Sequence, residues 1–327
     1  MKPLNLFYSE PQADRWIKFD RYPRMIIRRL LRGKPRPGGV MMVAINLMKG
    51  LDKIGVDYRF NDYVYIKNHP DELACIIGKP HLLFKKKWRN PILFGAGVFS
   101  HPSDCPDLFA KYPNVQRILV PGEWMRKMFE PFYRDKVISW PVGIDTDYWR
   151  PQAGEKQFDF LIYDKIRWEH DQFQTELIDP IVELLEQRDL SYRFIKYGNY
   201  TPSQLKTKLG QSRAVIFLCE HETQGLAYQQ ILATDTPILA WNRGGYWQDT
   251  EYYPHRVRYD PVTSVPYWDD RCGRTFTGAD DFNLALELFT GTRAKNAYSP
   301  RAYILENLTL EKCASEYVNI VRSLNGE

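Results

Sequence analysis

Long apolar runs are missing from this sequence. None of its 327 residues falls in an uncharged apolar stretch of about 18 or more, the length a membrane-spanning helix needs, so no transmembrane helix is expected. The amino terminus, Met1-Lys2-Pro3-Leu4-Asn5-Leu6, has no long apolar stretch leading to a small-residue cleavage site, and a signal peptide is not expected. Cysteine is scarce. The five present (Cys75, Cys105, Cys219, Cys272 and Cys313) are scattered, odd in number and never spaced as Cys-x-x-Cys, which argues against a zinc ribbon and a disulfide framework. A reducing, cytoplasmic compartment is the expectation. A large excess of one charge is lacking too: 45 Lys and Arg face 40 Asp and Glu, a net charge of +5.

What is there is ordinary for a soluble globular chain, with 44% hydrophobic and 26% charged residues. The length suits two domains, each able to bury its own core. The 9 Trp, 21 Tyr and 17 Phe can bind planar or sugar-like ligands, although cores and interfaces are their commoner use. The positive charge is local. Residues 11–40 hold nine basic and two acidic residues, so that segment is +7 and the remainder −2. Nucleic-acid binding is therefore not expected. Within the segment, Tyr22 to Arg32 reads as an amphipathic helix, with Ile26, Ile27, Leu30 and Leu31 on one side and Arg24, Arg28, Arg29 and Arg32 on the other. Three readings stay open: a helix resting on an anionic membrane, a grip for an acidic acceptor, or a solvated face.

Apolar runs alternate with amphipathic segments, which predicts an α/β protein. Strands are expected at Tyr58–Phe60, near Ala74–Gly78 and Pro91–Gly95, and at Arg117–Pro121 and Lys136–Trp140. A second set comprises Phe158–Tyr163, Tyr192–Tyr197, Ala214–Cys219 and Pro237–Trp241. Helices are expected at 40–51, opened by Gly38-Gly39, and at 123–133, 174–188, 202–209, 223–233, 280–289 and 299–324. Two doubly wound, Rossmann-like domains facing a cleft follow, with ligands at the carboxyl ends of the strands. The expected division is 1–150, 151–305 and a helix at 306–327 that returns to the first domain.

The most informative segment is Cys219-Glu220-His221-Glu222-Thr223-Gln224-Gly225-Leu226-Ala227-Tyr228-Gln229-Gln230-Ile231-Leu232-Ala233, which follows a strongly apolar strand and opens a helix. It resembles the donor-binding signature of GT-B retaining glycosyltransferases of the family 4, or group 1, type. There a Glu is followed by Gly-Phe-Gly-Leu-Pro and by a second Glu eight positions after the first. Glu222 holds the first position, Gly225 and Leu226 match the glycine and leucine, and Gln230 replaces the second Glu. Other segments resemble the family in order. They are Gly38-Gly39 before a helix, Val120 to Arg126, the linker around Gly143-Ile144-Asp145-Thr146, Leu161 to Asp171, and Thr236 to Gly245. The resemblance spans roughly residues 38–325.

The resemblance implies a GT-B fold and transfer of a sugar from a nucleotide diphosphate sugar to an acceptor hydroxyl, with retention at the anomeric carbon. Glu222 would orient the donor sugar and His101 would line the reaction centre. Gly38, Gly39, Lys165, Arg167, His170, Gly225, Leu226 and Gln230 would contact the donor. A helix amino terminus attracts a diphosphate, and a lysine near it stabilises charge on the leaving group. The family's Arg and Lys at the pyrophosphate become Lys165 and His170 here. Together with Gln230 they leave a second reading open, a weak or inactive protein that binds sugar nucleotides or glycans. The acceptor would be a glycan or a lipid-linked molecule. No cofactor is expected beyond the donor, and no metal. Asp145-Thr146-Asp147 matches the Asp-x-Asp of metal-dependent transferases in isolation, but it falls in the linker pattern and is read as structural.

Overall fold

The computed structural model describes residues 2–10 and 38–326. The arginine-rich stretch Tyr22–Arg32 lies outside the described residues. Among those described, no helix is long and apolar enough to cross a membrane, and all five cysteines are buried, free thiols.

The chain divides into two units. The first comprises 1–121, 126–142 and 313–327, and the second 122–125 and 143–312. Each is built on one parallel sheet. In the first unit the strands are β1 (Leu4–Phe7), β2 (Tyr58–Phe60), β3 (Ala74–Ile76), β4 (Ile92–Phe94), β5 (Val115–Val120) and β6 (Val137–Ser139), in the order β2-β1-β3-β4-β5-β6. In the second they are β7 (Phe158–Asp164), β8 (Tyr192–Lys196), β9 (Ser212–Leu218), β10 (Ile238–Trp241) and β11 (Gly273–Phe276), in the order β11-β10-β9-β7-β8. In both, the chain steps from the first strand to one side and returns on the other. Strand order therefore reverses between β1 and β3, and between β7 and β9. In open α/β sheets the carboxyl ends at such a reversal are where ligands bind.

Burial explains the strands. Parallel sheets covered on both faces need strands that are apolar throughout. β9, Ser-Arg-Ala-Val-Ile-Phe-Leu, is buried at every position except Arg213, and β10 at all four. Alternate side chains Phe160 and Ile162, and Ala214, Ile216 and Leu218, face one layer. Helices Asp179–Gln187 and Ala279–Ala294 cover it with Ile181, Leu185, Phe282, Leu286 and Phe289. β8 lies at the edge and shows Arg193, Phe194 and Lys196 to solvent, as edge strands do.

Besides the short helices Tyr63–Asn68, His81–Lys85 and Leu108–Lys111, four features depart from the expected elements. β1 and β11 were not expected as strands. β1 is only four residues long and contains Asn5, yet it lies inside the sheet and is wholly buried. The Asn5 amide is accommodated because it donates to Glu72 Oε2 at 3.1 Å. The helix expected from Thr223 begins at Leu226, because Gly225 takes the left-handed conformation (φ 76°) and turns the chain first. The long last helix is two, Pro300–Asn307 and Leu310–Asn325. It breaks where Leu308 gives its carbonyl to Ile144 N (2.8 Å) and Thr309 Oγ1 accepts from Lys312 N (3.2 Å).

That break explains the linker motif. A Cβ on Gly143 would lie 2.5 Å from Leu310 Cα, so only glycine lets the two backbones meet. Asp145 Oδ1 accepts from Tyr148 N (3.1 Å). Arg301 donates to the carbonyls of Thr146 and Trp149, at 3.1 and 2.9 Å.

Candidate functional site

The reversal point of the second sheet is densely charged. β7 ends in Asp164 and is followed by Lys165. β9 ends at Leu218 and is followed by Cys219-Glu220-His221-Glu222. Since β7 and β9 are neighbours in parallel register, with Asp164 opposite Leu218, both charged runs emerge at one edge. The Lys165 N–H donates to the Leu218 carbonyl at 2.8 Å.

Lys165 Nζ donates directly to Glu222 Oε1. The two side chains are 10% and 8% exposed. Burial disfavours the Lys165 charge, but the Glu222 carboxylate outweighs it and holds the ammonium above its ordinary pKa. The ammonium also sits 4.4 Å from the centre of the Tyr197 ring. The backbone of Glu222 is fixed on both sides, its N–H to Thr263 O (2.9 Å) and its carbonyl to the Trp124 indole N–H (2.8 Å).

Arg167 is exposed, but its loop is pinned. Glu220, almost fully buried, accepts from the backbone N–H of Arg167 (2.7 Å) and of Trp168 (3.0 Å) through Oε1. Its Oε2 has no hydrogen bond and lies 3.6 Å from Arg167 Nε. The guanidinium donates to His221 O at 2.8 Å. The His221 ring is buried between the indoles of Trp168 and Trp124, 5.4 and 5.8 Å away by ring centres. Burial, with Arg167, Arg243 and Lys165 adding repulsion, pushes its pKa down to about 2, so the imidazole stays neutral. Three cations thus surround this edge, and Glu220 and Glu222 are their fixed counter-charges.

Among the expected donor residues, Lys165, Arg167 and Glu222 meet here. His170 lies beyond them, its Nε2 2.8 Å from Asp164 Oδ2, and the same carboxylate faces Lys196 at 3.7 Å. Leu226 and Gln230 are partly exposed, one turn apart, on the helix that follows. Gly225 has an internal reason to be glycine, for a Cβ there would lie 2.0 Å from the Tyr228 ring. That ring is locked because Tyr228 O–H donates to Tyr267 O (3.1 Å) and accepts from Tyr267 N (2.9 Å).

In the first unit, Gly38 caps helix Gly39–Lys53 with ordinary extended geometry. Among the described residues, none comes within 4 Å of a Cβ built on Gly39. His101 follows β4 and is buried; its Nδ1 accepts from Ser103 N (3.1 Å) and its ring meets Phe132 edge-on. At the β1–β3 reversal, Ser9 Oγ and His81 Nε2 are 3.1 Å apart, and Tyr8 O–H donates to Glu10.

Glu220, His221 and Tyr197 also belong to this edge, and none of them was expected from the sequence to have a role. The signal was available in part: Glu220-His221-Glu222 comes immediately after an apolar strand, where a parallel sheet places its functional edge.

No protein-family model and no curated protein matches the chain. Solved structures do. A trehalose-6-phosphate synthase, studied for enzymatic glycosyltransfer with retention, aligns over 92% of this chain and 82% of its own, with a TM-score of 0.54 and 11% identity. WaaG, a glycosyltransferase involved in lipopolysaccharide biosynthesis, aligns over 88% and 97%, with a TM-score of 0.52 and 11% identity. TarM aligns over 79% of this chain at a TM-score of 0.51 and 12% identity, and the chain spans 57% of TarM's length. With its two parallel α/β units, the chain has the GT-B fold of these glycosyltransferases.

Proposed function

We propose that the chain is a glycosyltransferase that takes a sugar from a nucleotide diphosphate sugar and attaches it to an acceptor hydroxyl with retention, in glycan, polysaccharide or glycolipid synthesis. The observation that carries this reading is the buried Lys165–Glu222 pair at the β7–β9 reversal, with Arg167 beside it. A diphosphate needs cations and a sugar needs hydrogen-bond acceptors, and this edge offers both within one ion pair. As the bond from the anomeric carbon to the diphosphate oxygen breaks, the electron pair goes to the diphosphate. Lys165 and Arg167 stabilise that charge. The acceptor oxygen bonds to the anomeric carbon on the same face and releases its proton to the leaving phosphate. Glu222 accepts hydrogen bonds from sugar hydroxyls. Gln230 provides a neutral acceptor for a ribose hydroxyl. No metal is assigned a role.

The test is a thermal-shift screen with UDP-, GDP- and ADP-sugars, followed by detection of donor hydrolysis and transfer. Stabilisation by one nucleotide series, with sugar release, is expected. If no nucleotide sugar binds, the reading fails. Binding without hydrolysis or transfer would favour the second reading, a non-catalytic sugar-nucleotide binder, which the replacement of the second Glu by Gln230 supports.

A further inference from the structure

Lys165 has two partners, the Glu222 carboxylate and the face of the Tyr197 ring. The neighbouring cations are already held by groups a ligand need not disturb. Arg167 donates to the His221 carbonyl, Arg243 to Gln248, and Lys196 faces Asp164. Lys165 is therefore the cation whose charge is compensated by the very carboxylate assigned to the sugar. The backbone of Glu222 is tied at both ends, so its carboxylate can leave Lys165 only by side-chain rotation.

Resting on the donor-site reading above, we infer that Glu222 is an internal stand-in for the diphosphate and sets the preference of the site for intact donor over the nucleoside diphosphate product. A ligand diphosphate that reaches Lys165 draws it from Glu222. With an intact nucleotide sugar bound, hydroxyls of the sugar donate to the freed carboxylate and replace the lost partner. With a bare nucleoside diphosphate, nothing replaces it. A carboxylate 8% exposed is then left without its partner beside a second anion, which is strongly unfavourable. The pair re-forms once the sugar has gone, and the product is released. Glu222 thus contributes to turnover after the chemical step as well as during it.

The measurement is calorimetric titration of the full chain with UDP, GDP and ADP and with the matching nucleotide sugars, comparing wild type with Glu222→Gln. The amide keeps the shape and an acceptor oxygen but no longer competes as an anion. The nucleoside diphosphate should bind the variant at least about fivefold more tightly, the scale of one modest electrostatic contact. The nucleotide sugar should not tighten, so the ratio of the two affinities narrows. Equal or weaker binding of the diphosphate by the variant, with wild type binding normally, overturns this inference and leaves the donor site standing. Failure of both proteins to bind any of the six ligands overturns the donor site and the inference with it. Glu222→Ala, titrated in parallel, must also gain affinity for the diphosphate. If the Gln variant does not melt cooperatively, the Ala variant decides the outcome.

Discussion

Lys165, Arg167, Glu220 and Glu222 meet at the β7–β9 edge of the second sheet, whereas the β1–β3 edge of the first carries Tyr8, Ser9, Glu10 and His81. The two sheets reverse strand order in the same way, so topology alone offers a ligand edge in each. Their chemistry separates them. At the second edge the carboxylates hold cations in place, and burial keeps His221 neutral among those cations. Among the described residues, the first edge carries hydroxyls, the Glu10 carboxylate and the His81 imidazole, and the neighbouring helix opens on two glycines. The fold locates candidate sites; the charged residues described at the second edge are the ones the proposed donor site rests on.

The two glycine-bearing helix starts sharpen this contrast. Gly225→Ala should destabilise the chain by about 3 kcal/mol, because a Cβ meets the Tyr228 ring and a left-handed residue with a Cβ is itself strained. Chemical denaturation reads this directly, and an unchanged midpoint would remove the packing role given to Gly225.

A smaller effect comes from His221. Its folded-state pKa is depressed to about 2, whereas an unfolded histidine titrates near its ordinary 6.5. The stability tied to its neutrality is present above pH 6.5 and is lost as pH falls below it, because the unfolded chain takes up a proton that the folded chain refuses. About 2 kcal/mol should disappear between pH 6.5 and pH 5. His221→Gln should flatten that part of the stability profile, and an identical slope in the variant would contradict the burial argument.

Gly39→Ala should be mildly stabilising, by no more than about 1 kcal/mol, since the position is helical and no described residue lies within 4 Å of the added methyl. Chemical denaturation checks it, and a lowered midpoint would contradict the helical start assigned to Gly39. Smallest of all is the effect of EDTA, which should leave transfer unaltered. A strict need for Mn²⁺ or Mg²⁺, restored on re-addition, would require a metal site that the present account lacks.

Much of this was legible in the sequence. The α/β class and most buried strands followed from apolar runs between glycines, and the charged cluster after β9 was read as a site from one motif. β1 escaped because four residues with an asparagine carry too little pattern; its place within the sheet comes from pairing with β2 and β3. β11, Gly-Arg-Thr-Phe, is an edge strand and too polar to stand out. Glu220 escaped for a different reason. Its role depends on accepting the N–H groups of Arg167 and Trp168, 53 and 52 positions away, a relation visible only once β7 and β9 are neighbours.

Glu222 carries the donor-site assignment, and the most direct test is transfer by the Glu222→Ala chain, with any nucleotide sugar the wild type uses, in a preparation that melts cooperatively. The rate should fall at least about a hundredfold, the scale of losing one electrostatic contact at a reacting centre. A folded variant that transfers at close to the wild-type rate would contradict the assignment of the β7–β9 edge as the place where the donor sugar is held.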